Sequence, residues 1–195
     1  MAAPSDAELM TAVQEDDLSQ LGVLFERHHL GLFNFFLRLT GNRSWSEDLV
    51  QEVFVRILKY RKSFRPALEF RPWLYAMARN AAAAHFKKHR RDAAPDSEPE
   101  QRLCDRPLAL ERLEDAEAAR LLRSSLLRMP HEKREVLLLS RFGEMRYDQI
   151  AGLLGCSVGA VKLRVHRAVK QLREIYSEMA LGRPQADSAP GAPTP

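Results

Sequence analysis

Residues 147–168 read Tyr147-Asp-Gln-Ile-Ala-Gly-Leu-Leu-Gly-Cys-Ser-Val-Gly-Ala-Val-Lys-Leu-Arg-Val-His-Arg-Ala168. The spacing predicts two short helices joined by a tight turn. Ile150 and Leu154 fall on one face of the first helix, and Ala151 is small where two helices cross. Gly155 permits the left-handed residue that reverses a chain at a helix end. Ser157 can cap the second helix. Val158, Val161 and Val165 form its inward stripe, which leaves Gly159, Ala160, Lys162, Arg164, His166, Arg167 and Lys170 outside. A helix-turn-helix places the first turns of such a helix in the major groove of DNA. Small residues at 159 and 160 allow close approach. Lys162 and Arg164 are the candidates for base edges, and Arg167, Lys170 and Arg173 for phosphates. The alternative is a plain helical hairpin with a solvated basic face.

Working outward, helices are predicted over residues 113–128 and 131–141 before the motif, and the second motif helix runs on to about Met179. Residues 180–195, rich in proline and without large apolar side chains, are expected to be disordered. Residues 92–112 carry Pro95, Pro99 and Pro107 and no apolar periodicity, so they read as a flexible acidic linker. Upstream lies a second helical unit, residues 18–91. Its first helix places Leu21, Phe25, Leu32, Phe36 and Leu39 on one face and stops at Gly41-Asn42. Ser44 with Glu47 three residues on reads as a capping box for the next helix. Pro72 suits the first turn of a third. Residues 1–17 read as a polar lead-in. The fold class is therefore all-α: two small helical domains, 18–91 and 113–179, on a loose tether.

The net charge of the 195-residue chain is only +4, but it is unevenly spread. From Arg56 to Arg91 there are eleven Lys or Arg against one acid, Glu69. From Asp92 to Ala118 there are nine acids against three Arg. From Ser157 to Arg173 there are five Lys or Arg and no acid, so two basic blocks flank an acidic spacer and predict two polyanion-binding surfaces. The two cysteines, Cys104 and Cys156, make no zinc pattern and fit a reducing cytoplasm. No apolar run approaches the ~20 residues that span a bilayer, and the first ten residues lack the pattern of a secretory signal.

Two further motifs stand in the first domain. Glu47-Asp-Leu-Val-Gln-Glu-Val-Phe-Val-Arg56 is helical, with Asp48, Gln51 and Glu52 on one face. An acidic stripe beside an apolar face fits a basic helical partner; the alternative is an ordinary solvated face. Arg61 to Asn80 interleaves Phe64, Phe70, Trp73 and Tyr75 with Arg65, Arg71 and Arg79. Rings and cations together suit unpaired nucleic acid, since bases stack on rings and the backbone follows positive charge. Trp73, Phe64 and Phe70 also fit a core, and Tyr75 stays open between the two roles. His85 and His89, at i and i+4, could ligate a metal, but Lys87, Lys88 and Arg90 would repel a cation. No nucleophile–base pairing or phosphate loop is visible, so neither an enzyme nor a cofactor or metal site is expected.

In this order the three motifs resemble the extracytoplasmic-function (ECF, group IV) sigma factors of bacterial RNA polymerase. Asp48-Leu-Val-Gln-Glu-Val-Phe54 and Phe70-Arg-Pro-Trp-Leu-Tyr-Ala-Met-Ala-Arg-Asn80 are similar to that family's region 2, and residues 127–174 to its region 4. The resemblance implies that Asp48, Gln51, Glu52 and Phe54 meet the clamp helices of the polymerase's largest subunit. The second domain would meet its flap region. Phe64, Arg65, Arg71, Tyr75, Arg79, Asn80, Lys87 and Lys88 would hold unpaired bases of the promoter −10 element. Ser157, Gly159, Ala160, Lys162, Arg164, Arg167 and Lys170 would read the −35 element as duplex. A non-catalytic subunit is implied, in the cytoplasm, with an anti-sigma partner that could hold it at the inner membrane without any membrane insertion of its own. A polymerase-independent helix-turn-helix regulator would explain only the second domain. Two departures stand out. Arg146 occupies a position where the family has a capping Ser or Thr, and Ala160 and Leu163 replace a Thr and a Ser.

Overall fold

The computed structural model describes residues 3–67, 69–92 and 113–182. The predicted linker lies outside these residues except for Asp92, and so does the predicted tail beyond Gly182. The described residues form eight α-helices and one 3-10 turn, and no strand.

The chain enters through α1, Asp6–Gln14, in the stretch expected to be a polar lead-in. Ser5 and Glu8 close a capping box, with the Ser5 amide donating to Glu8 Oε2 at 2.7 Å and the Glu8 amide to Ser5 Oγ at 3.3 Å. Leu9, Met10 and Val13 then go into the core. Asp6 ties α1 to the next helix, accepting from Arg27 at 2.9 Å and pairing with His28 Nε2 at 2.7 Å. Helix α2, Ser19–Thr40, buries Leu24, His28, Leu32, Phe35, Phe36 and Leu39. It ends at Gly41, whose φ of 73° reverses the chain.

That reversal moves the start of α3, Arg43–Tyr60, two residues ahead of expectation. Asn42, extended after the glycine, is the N-cap, and its Oδ1 accepts from the Trp45 amide at 3.0 Å. Ser44, the predicted cap, lies inside the helix and is exposed. Helix α3 buries Leu49, Val50, Val53, Phe54 and Ile57. After the 3-10 turn Arg61–Ser63 comes α4, Phe70–Asp92. Pro72 sits in its first turn, where the missing N–H has no acceptor to lose.

The second unit consists of α5, Leu113–Arg128; α6, His131–Phe142; α7, Tyr147–Leu154; and α8, Val158–Leu181. Helices α6 and α7 pack on α8, as does α5.

The two units are in contact, a packing the sequence reading did not foresee, while the segment that joins them lies outside the described residues. Helix α2 packs on α5 and α6, α4 packs on α7, and the buried side chains form one cluster from α1 to α8. Arg38 of α2 lies 4.3 Å over the Phe142 ring. Arg134 of α6 donates to the Leu39 carbonyl of α2 at 2.6 Å. The end of α2 is backed so closely by α5 that a Cβ on Gly41 would come within 2.6 Å of Leu127 Cδ1. Gly41→Ala therefore meets both a left-handed backbone and a neighbouring domain. A loss of about 1–2 kcal/mol is expected from the backbone term alone. Urea unfolding measures it, and unchanged stability would contradict this helix end.

Candidate functional site

The second domain presents α8. Ser157 caps it, its Oγ accepting from the Ala160 amide at 3.2 Å, and Gly155 with φ of 63° makes the turn before it. Val161, Val165 and Ala168 are buried. Val158 departs from the predicted inward stripe and is 39 % exposed, because the first turn stands clear of the helices beneath. Gly159, Lys162, Arg164, Arg167 and Lys170 are exposed, and Ala160 is half-buried. At about 100° per residue, Lys162 and Arg164 fall on opposite flanks of the outer face, with Leu163 between them. An open groove of about 590 Å³ beside Lys162, His166, Lys170 and Arg173 is completed by Arg141 of α6 and Tyr147 of α7. Reading one helix at a time missed Arg141 and Tyr147, since only the packing of three helices brings them there. The groove carries a net positive charge, although Glu174 also lines it and pairs with Lys170 at 3.9 Å.

At the start of α7, Arg146 provides no side-chain cap. Gln149 Oε1 covers the Arg146 amide at 2.7 Å, the reciprocal half of a capping box. The Arg146 guanidinium turns instead to Asp148 at 3.3 Å and to Glu69 of the first domain at 2.9 Å.

In the first domain, the basic surface formed by α4 and the segment before it divides in two. Arg65, Asn80, Lys87 and Lys88 are exposed. Arg71 and Arg79 are half-buried and held by the second domain. Arg79 makes a two-pronged pair with Glu135, at 2.9 and 3.3 Å, and donates to the Leu153 carbonyl at 3.0 Å. Arg71 pairs with Glu144. Two aromatic expectations need correction. Phe64 is 3 % exposed and packs edge-on against Trp73 and Phe70, with centroids 5.3 and 6.0 Å away. Tyr75 is 4 % exposed, meets Phe35 edge-on at 5.3 Å and donates its hydroxyl to the Phe142 carbonyl at 3.2 Å. Burial pushes its phenol up to about 12. Both rings belong to the apolar faces of their segments, so neither presents a stacking platform here.

Helix α3 shows Asp48, Gln51 and Glu52 to solvent. Glu52 is also held by Arg56 at 2.6 Å, one helical turn on. Phe54 is buried edge-on against Phe25 at 4.9 Å, so it roots the stripe in the core rather than facing outward. Val55, passed over in the sequence, is 59 % exposed in the same row as Asp48 and Glu52. The stripe borders a shallow groove of about 280 Å³ whose other wall is Ala84, His85 and Lys88 of α4. His85 and His89 pack around Trp45, at 4.8 and 4.4 Å between centroids. The described residues contain no group of three metal-ligating side chains.

The family model for sigma-70 region 2 matches residues 24–92, and that for sigma-70 region 4 matches residues 119–172. RNA polymerase sigma factor CarQ of Myxococcus xanthus is 31 % identical over 158 residues, covering 81 % of this chain and 90 % of that protein. ECF RNA polymerase sigma factor SigL of Mycobacterium tuberculosis is 32 % identical over 192 residues, covering 93 % of this chain and 97 % of that protein. Among solved structures, CnrH in complex with the cytosolic domain of CnrY is 25 % identical, with a TM-score of 0.67 over 90 % of this chain and 99 % of that one. Sigma factor RpoE in complex with the anti-sigma factor NepR from Bartonella quintana, 21 % identical with a TM-score of 0.63, shares the fold. With both sigma-70 regions matched in order and relatives aligned over nine-tenths or more of their own length, this chain belongs to the extracytoplasmic-function RNA polymerase sigma factors.

Proposed function

We propose that this sigma factor works by exchanging the contacts between its own two domains for contacts with polymerase and promoter. The observation that carries the reading is the split basic surface of α4 and the segment before it. Arg65, Asn80, Lys87 and Lys88 are free to meet a strand, while Arg71, Tyr75 and Arg79 are engaged by the second domain. In this reading the α3 stripe of Asp48, Gln51 and Glu52, with Val55 as an apolar anchor, docks on the clamp helices of the polymerase's largest subunit. The second domain docks on the flap. Separation of the domains then frees Arg71 and Arg79 to join the exposed cations on the unpaired −10 element. Helix α8 reads the −35 duplex with Gly159, Ala160 and Lys162 near base edges. Arg164 also stands near base edges on the other flank, Arg167 and Lys170 grip the backbone, and Ser157 fixes the start of the helix.

The chain's own part is binding, with no covalent step and no cofactor: it is a non-catalytic subunit. Each domain alone makes a small interface, and tethering both to one polymerase raises their effective concentration at one promoter. CnrH, whose two-domain structure this chain matches over nine-tenths of its length, was solved with a partner's cytosolic domain bound. We extend that to an anti-sigma protein that holds the docked arrangement of this chain shut, in the cytoplasm or at the inner membrane.

Glu52→Lys reverses a charge on an exposed side chain, so the fold stays intact while affinity for core polymerase falls by tenfold or more. A pull-down with an unfolding curve checks both, and normal docking would sink the role given to the α3 stripe. Arg167→Ala in the holoenzyme should weaken promoter binding about equally for all −35 sequences and reduce the slope of log K against log salt by about one. A change in sequence preference without a change in slope would move Arg167 to the bases.

A further inference from the structure

Leu163 is 48 % exposed on the second turn of α8. An exposed leucine is unremarkable in itself; its surroundings are what matter. With about 100° between successive residues, Leu163 falls at the middle of the outer face, opposite the buried Val161, Val165 and Ala168. Every charged side chain around it is a cation: Lys162 on one flank, Arg164 and Arg167 on the other, Lys170 two turns on. Long helical side chains lean toward the helix N-terminus, over the residues three and four positions back. Those are Ala160 and Gly159. A Cβ on Gly159 would meet only Ser157 Oγ, at 3.9 Å, so the glycine is not required by packing. Its lack of a side chain leaves Leu163 as the apolar point at the middle of the outer face, since Val158, 39 % exposed in the first turn, lies round toward the buried stripe.

We infer that Leu163 is a specificity-determining residue that packs on the C5-methyl group of a thymine in the −35 element. The occupant is nucleic acid rather than protein because a ring of cations surrounds the leucine, which complements phosphate on both sides. Among base edges in the major groove, the thymine methyl is the apolar feature a leucine can cover. A hydroxyl at this position could bond several bases, whereas leucine bonds none and leaves the donors and acceptors of G, C and A unpaired. The inference rests on the reading that α8 enters the −35 major groove.

The test uses the full chain assembled with core RNA polymerase. Holoenzymes carrying Leu163, Leu163→Ala or Leu163→Ser select from promoter duplexes randomised across the −35 region. The parent should enrich one position for thymine, and both variants should lose that preference while keeping the rest of the motif. Replacing that thymine with uracil removes only the methyl. It should weaken the parent about fourfold, the worth of burying one methyl-sized group, and leave Leu163→Ala unchanged. If the motif and the uracil response are the same in parent and variants, the role of Leu163 is overturned while the −35 reading stands. If no position across the region is enriched in any holoenzyme, both are overturned. If the variants keep the motif but lose affinity for polymerase, Leu163 is a protein contact and the inference fails.

Discussion

The arrangement of the whole molecule hangs on the guanidinium of Arg134. It donates to the Leu39 carbonyl at 2.6 Å, the Leu127 carbonyl at 2.6 Å and the Met129 carbonyl at 2.9 Å. The first of these lies at the end of α2, and the other two at the end of α5. Terminal helix carbonyls have no partner within their own helix and carry the negative end of its dipole. One cation thus satisfies the ends of two helices from two domains. Its burial disfavours the charged form and lowers its pKa to about 10, yet leaves it charged at neutral pH. Each such charged hydrogen bond contributes about 1.5–3 kcal/mol. Leucine packing reinforces it, with Leu127 set against Gly41 so closely that an added Cβ would fall 2.6 Å from its Cδ1.

The consequences run along α6. With Arg134 fixed, the next residue, Glu135, is aimed at Arg79, and the end of the helix brings the Phe142 carbonyl to Tyr75 and its ring under Arg38. Acidic groups of the second domain, Glu135 and Glu144, thereby neutralise two arginines of the most basic block in the chain. In the other direction, Glu69 of the first domain holds Arg146 and Gln149 at the start of the helix-turn-helix. The departure at Arg146 thus has a structural counterpart: a residue that does not cap its own helix links the two domains. Part of the basic surface, Arg71 and Arg79 of the first domain, is occupied in the free chain by the chain itself. Competition between the two sets of partners is electrostatic, so it responds steeply to salt.

Much of this was legible in the sequence where the signal is local. The turn at Gly155-Cys156-Ser157, the buried stripe Val161 and Val165, and the exposed row of Asp48, Gln51 and Glu52 all follow from helical spacing. What escaped falls into three kinds. Helix α1 is short, with Leu9, Met10 and Val13 as its whole buried face, but the Ser5–Glu8 capping box announces it. Asn42 reads in the sequence only as part of the stop that ends α2, yet the left-handed Gly41 leaves it extended and it caps α3 two residues before the predicted Ser44. For Phe64 and Tyr75, aromatic residues among arginines fit a nucleic-acid surface and a core equally well, and only packing tells them apart. The pairs across the domain boundary, such as Arg79 with Glu135, join residues 56 positions apart. No periodicity reaches that far, so the charge blocks read as free surfaces when two of their members are paired.

The central claim is that the two domains are docked in the free protein and part when the promoter is engaged. The direct measurement is the distance between probes at Glu26 on α2 and Glu178 on α8, both exposed, in the free chain and in holoenzyme on an opened promoter. The account predicts a single narrow distance in the free chain and a longer one on the promoter. A broad distribution in the free chain, or an unchanged distance in an active promoter complex, would contradict it.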